Sequence, residues 1–275
     1  MPAELFPETD PEEVQHSKRI VLLLERVEKL SAKVGEHVDV APGSRLASDD
    51  ARTPSQPVSG YGYNQLIAAV GCLEALGRMG IRDDGETISL AFSPFGAYAL
   101  IRNSLDAAAS ALWLLEPASS TLRVKRRLLL GVDEVKNSSS FRRSMGRPNV
   151  SDWKQIRRAR FKEIASSANL AGWNPLKNDM PTMTSILEKL ERHPENVVIP
   201  WLPAWQLASG HAHGKLWAQI ASHQMDELAD TRNENGATFK MVIQYGMLAV
   251  LLFEAVQLIE AAGGRYVDLA TAPAM

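Results

Sequence analysis

The chain has 275 residues, 45% hydrophobic and 23% charged, which suits a soluble globular protein with one large core or two small ones. Its single cysteine, Cys72 in "AAVGCLEAL", excludes an internal disulfide framework, reads as a small buried residue, and fits a cytoplasmic setting. Net charge is only −2 but unevenly spread: residues 123–162 hold thirteen Lys and Arg against three acids, so +10, leaving −12 for the remainder.

The start, "MPAELFPETDPEEVQHSKR", has acids where a secretory leader needs a basic end and an apolar run. Residues 11–34 predict a helix: Pro11 suits its first turn, and Val14, Ile20, Val21, Leu24, Val27 and Leu30 recur at three- and four-residue steps. "GEHVDVAPGSRLASDDARTPSQPVSG" then loses periodicity and gathers turn formers, so 36–60 is expected as a mobile linker, with residues 1–35 as an appended helix. The main domain is expected over 61–275.

Helices are predicted from Tyr63 to about Met79 and from Ser93–Pro94 to Pro117, the second with Ser93 as its cap. Another should span Ser120 to Lys136 and stop at a polar break, "NSSSFRRSMGRPN". Ser151 or Asp152 would cap the next, to about Ala168, and "AGWNPLKNDMP" reads as a loop. A short helix is expected over 182–192, and the last two over about 212–229 and 235–262. "ENVVIPW" is the best strand candidate, ended by Pro200. The class is all-α: a helical bundle around a buried C-terminal helix. "MVIQYGMLAVLLFEAVQLIEAAG" is the most membrane-like stretch, but Gln244, Glu254, Gln257 and Glu260 interrupt it, so a buried core helix is expected and no membrane partner.

Two polar intrusions stand out. In the nearly all-apolar "FGAYALIRNSLDAAASALWLLEP", Arg102 and Asp106 share a face, beside Tyr98, Ala109 and Trp113. They form either a structural ion pair, which could recruit Glu254 or a backbone carbonyl, or the wall of a cleft that offers Arg102 to an anion. In "WQLASGHAHGKLW", Ser209 and Gly210 suit the start of a helix near His211. His211 and His213, two apart, do not share a helix face, and no HExxH or cysteine pair occurs, so no metal is expected. The alternatives are a structural cap or part of a binding cleft.

The pairing of "LIRNSLDAAASALWLLEP" with "WQLASGHAHG" resembles the HEPN (higher eukaryotes and prokaryotes nucleotide-binding) superfamily, over about 90–260. Its closest likeness is to a prokaryotic branch with an Arg and an acid four or so residues apart in one helix, and Ser-x-x-x-His opening a later one. The resemblance assigns Arg102 and Asp106 to the first pair, and Ser209 and His213 to the second; His211 is extra. It implies that His213 faces Arg102 and Asp106. The superfamily's ribonucleases carry Arg, then His four to six residues on, and no histidine here has such an Arg before it.

The basic segment offers a separate site. Arg126, Arg127, Arg142, Arg143, Arg147, Lys154, Arg157, Arg158 and Arg160 have the density that phosphate binding needs, and Phe141, Trp153 and Phe161 interleave as stacking platforms would. Against this stands a solvated basic face that docks on the acidic remainder. Three functions remain open: an anion-recognising protein that binds nucleic acid or nucleotide phosphates, an inert bundle that homodimerises or binds a partner, and a phosphodiester hydrolase that uses His213 and Arg102. None requires a cofactor.

Overall fold

A computed structural model describes residues 11–36, 38–83, 85, 88–170, 172–190, 198–234 and 236–271. Among them α1 (Pro11–Gly35), α2 (Arg45–Arg52) and α3 (Val58–Gly80) precede β1 (Ile81–Asp83) and β2 (Ile88–Leu90). Next come α4 (Pro94–Leu115), α5 (Ser120–Ser144), α6 (Val150–Ser167), a 3-10 turn at Pro175–Lys177, and α7 (Met183–Leu190). α8 (Trp201–Ala212), α9 (Leu216–Ser222), β3 (His223–Glu227), β4 (Phe239–Ile243) and α10 (Tyr245–Thr271) follow. β1–β2 and β3–β4 are small antiparallel hairpins, the latter registering His223 on Ile243 and Glu227 on Phe239. The protein is all-α, a helical bundle.

The chain forms two compact units. The first holds residues 11–36, 67–108 and 198–260, and the second 38–66, 109–190 and 261–271; α3, α4 and α10 contribute to both. α10 has the length and hydropathy of a membrane span. Its Leu248, Leu251, Leu252, Ala255 and Val256 are fully buried, as is Glu254.

In the first unit α1 is packed rather than appended. Ile20, Leu24 and Val27 form its buried stripe, and Arg26 forks onto Glu260 at 2.6 and 2.5 Å. Glu13 accepts the Tyr245 N–H at 2.9 Å, filling one orphan donor at the start of α10. The strand expected over 195–201 lies partly outside the described residues. Within them Val198 and Ile199 form a bend, and both N–H groups donate to Glu254 Oε1.

The second unit corrects the linker expectation. Residues 45–52 form α2, capped by Ser44, whose Oγ accepts the Ala47 N–H at 3.1 Å. Its Asp49 is fully buried against an equally buried Arg123, at 2.5 Å. The α4 C-terminus explains why the basic segment opens with "RVKRR". Arg126 reaches the Trp113 carbonyl, and Arg123 reaches those of Pro117 and Ala118 at 2.7 and 2.9 Å. Arg265 takes the Leu115 and Glu116 carbonyls. Cations thus satisfy the carbonyls that a helix end leaves unpaired, where its dipole favours positive charge.

α5 runs through the expected polar break to Ser144. Ser139 and Ser140 donate to the Lys136 carbonyl and Ser144 to that of Ser140, so these hydroxyls turn inward onto the helix. α5 and α6 form a hairpin, closed where Phe161 lies over Gly131; a Cβ there would come within 2.4 Å of the ring. Asn149, not Ser151 or Asp152, precedes α6, in a left-handed conformation at φ 54° and without a side-chain cap.

Candidate functional site

The "SGHAHG" stretch ends a helix instead of starting one. α8 begins after Pro200, carries Pro203 in its first turn, and stops at Ala212. His213 is its exposed C-cap, with its N–H on the Ser209 carbonyl at 3.1 Å, and Gly214 follows at φ 63°. Ser209 therefore caps nothing, and the expected 212–229 helix is instead α9 and β3. Gly210 permits the α8–α9 approach, since a Cβ there would meet Ala218 and Trp217 at 2.7 Å.

His211 is the histidine that turns inward. Its ring is 1% exposed and stacks on Tyr98 at a centroid distance of 4.0 Å. Its Nε2 lies 2.5 Å from Ser222 Oγ, and His223 Nδ1 lies 3.0 Å from the same oxygen. The one Ser222 proton goes to the Ala218 carbonyl at 2.8 Å, so the hydroxyl accepts from both imidazoles. Burial, reinforced by His223, lowers His211 from 6.5 to about 4, and burial lowers His223 as well. Burial raises the Tyr98 phenol. Ser222 is 1% exposed, so the trio ties α8, α9 and β3 together beyond the reach of a substrate. Sequence reading missed Ser222 and His223; their adjacency was visible, but their approach to His211 was not.

Arg102 and Asp106 form the predicted ion pair, at 3.2 Å. Asp106 also accepts Trp205 Nε1–H from α8 at 2.6 Å, which staples α8 to α4. Burial raises the Asp106 carboxyl, while Trp205 and Arg102 oppose the rise. Glu254 is engaged with Val198 and Ile199. His213 is exposed, so the convergence expected of it is replaced by Trp205. Among the described residues, no three or more His, Cys, Asp or Glu side chains gather as a metal would need.

The basic segment divides by depth. Arg126 caps α4 and lies 4.8 Å over Trp113, and Arg127 bonds Gln56 and the Pro57 carbonyl under the Tyr61 ring. These two leave the anion-binding set, as does Phe161, which is core. The rest lie on the α5–α6 hairpin: Arg143, Arg147, Arg157 and Arg160 are exposed, and Arg142, Lys154 and Arg158 half-exposed. Arg142 and Arg157 hold Trp153 at 4.9 and 5.8 Å. Two clefts, of about 350 and 380 Å³, share Ser138 and Trp153 in their linings. Arg157 and Arg160 line the first, and Phe141, Arg142, Met145 and Arg147 the second. Glu134 is the one carboxylate on their walls, in the first.

No family model, curated protein or solved structure compared with the chain matches it.

Proposed function

We propose that the protein binds a polyanion, nucleic acid or nucleotide phosphates, on the α5–α6 hairpin. One observation carries the reading. After internal hydrogen bonds have absorbed Arg123, Arg126 and Arg127, Arg142, Arg147, Arg157 and Arg160 remain on the walls of two neighbouring clefts, with Arg143 exposed on the same last turn of α5. Between Lys136 and Arg160 the sequence has eight Lys and Arg against Asp152 alone, a density whose self-repulsion a bound polyanion would relieve. Phosphodiester cleavage by His213 and Arg102 is outside the proposal, because His213 is exposed and the Arg102–Asp106 pair is closed by Trp205 instead. The test reverses Arg143, Arg147, Arg157 and Arg160 to Glu, all exposed and so compatible with folding. The wild type should bind a 20-nucleotide oligomer with an affinity that falls steeply with salt, and the variant should lose that affinity. Equal binding by both would leave the hairpin as a solvated face.

A further inference from the structure

The hairpin groove has features that a plain phosphate-binding face does not need. Phe141 is 67% exposed and Met145 58%, although both lie among arginines, Phe141 on the last turn of α5 and Met145 just after it. Together with Arg142, Arg147 and Trp153 they line one cleft. Such side chains gain nothing from neutralising phosphate, and their exposure wastes apolar area that folding could have buried. A flat aromatic ring between cations does fit a nucleobase, which has an apolar face and phosphates on either side of it. The cleft has the volume to hold a nucleotide.

We infer that the ligand is single-stranded nucleic acid, lying along the α5–α6 groove with a base stacked on Phe141. This rests on the polyanion reading of the same hairpin. Two arguments select a single strand. The two clefts share Ser138 and Trp153 in their linings, so a strand lying along the hairpin would meet Arg147 in one and Arg160 in the other. A duplex keeps its base faces stacked internally, so Phe141 would have no face to meet. The Trp153 ring is already engaged by Arg142 and Arg157, and Phe141 is the more exposed ring of the cleft. An anionic bilayer also pairs arginine with apolar side chains, but it needs them on a convex face, whereas Phe141 and Met145 line a concavity.

The test compares four probes on the full chain at fixed salt: a 20-nucleotide single strand, the same sequence as a duplex, inorganic polyphosphate of matched charge, and vesicles containing phosphatidylserine. The single strand should bind at least tenfold tighter than the duplex or polyphosphate. Phe141→Ala should lower the ratio of single-strand to polyphosphate affinity fivefold or more, and Phe239→Ala, an exposed ring on β4, should leave it unchanged. Equal affinity for single strand and polyphosphate, with a ratio indifferent to Phe141→Ala, overturns the base-stacking inference while the polyanion reading stands. Binding to none of the first three probes overturns both. Binding to vesicles alone also overturns both and makes the hairpin a membrane-surface element.

Discussion

Removing Asp49 isolates a charge at the centre of the second unit. Asp49 and Arg123 are 0% and 1% exposed, and the guanidinium donates to one carboxylate oxygen and to the carbonyls of Pro117 and Ala118. Asp49→Ala leaves those two neutral acceptors and no counter-charge, for which the expected cost is about 3–5 kcal/mol. Folded proteins are stable by only about 5–15 kcal/mol, so the loss is a large part of the whole. The double variant Asp49→Leu/Arg123→Met removes both charges and gives up the two carbonyl caps, at about 0.5–1.5 kcal/mol each. It should therefore be more stable than Asp49→Ala. Urea unfolding measures both, as a fall in midpoint at unchanged slope. A single variant that costs less than about 1 kcal/mol, or a double variant less stable than the single, would refute the reasoning.

The fold carries further consequences. His211 is lowered from 6.5 to about 4 by burial and by His223, so the unfolded chain binds more protons between those values. The contribution is complete above pH 6.5 and is lost as pH falls toward 4; His211 alone should cost about 2 kcal/mol between pH 7.5 and pH 5. Asp106 and Glu254, raised by burial, act in the opposite sense, so His211→Gln isolates the effect by flattening the slope of urea midpoint against pH. An unchanged slope would mean that the imidazole is solvated. Brief trypsin treatment should spare Arg45 and Arg52, which bond Asp268 and the Ala168 carbonyl, and cut first at Arg143. Early peptides ending at Arg45 or Arg52 would restore the linker reading. Leu251→Asp should unfold the first unit, because its side chain is fully buried and a carboxylate there has no partner; a native circular dichroism spectrum would contradict that.

Long amphipathic or all-apolar helices were legible in the sequence: α1 and α4 lie close to where their spacing placed them, and α10 exists but starts at Tyr245 and runs to Thr271 instead of spanning 235–262. What failed had local chemistry with two readings. "SGHAHG" offers a Ser cap at one end and a terminal Gly at the other; Pro203, harmless only in a first turn, was the signal that fixed the direction. α2 has one apolar core residue, Leu46, and otherwise buries Asp49, whose partner is 74 residues away and leaves no periodic trace. The β3–β4 hairpin sits where periodicity suggested two helix ends, although the Asn-Gly dipeptide at 235–236 was a readable hairpin signal. For the candidate sites, sequence supplied the Arg102–Asp106 pair and the basic segment. It could not show which arginines cap α4, because that depends on where α4 ends in space.

The central claim is that a nucleic-acid strand contacts the α5–α6 hairpin and no other basic surface. Photo-crosslinking with a 20-nucleotide strand containing 4-thiouridine, followed by peptide mass mapping, reads that contact directly. The account predicts crosslinked peptides confined to residues 138–160, with Phe141 or Trp153 among the modified positions. Crosslinks centred on Arg102 or His213 would contradict it and return the site to the first unit.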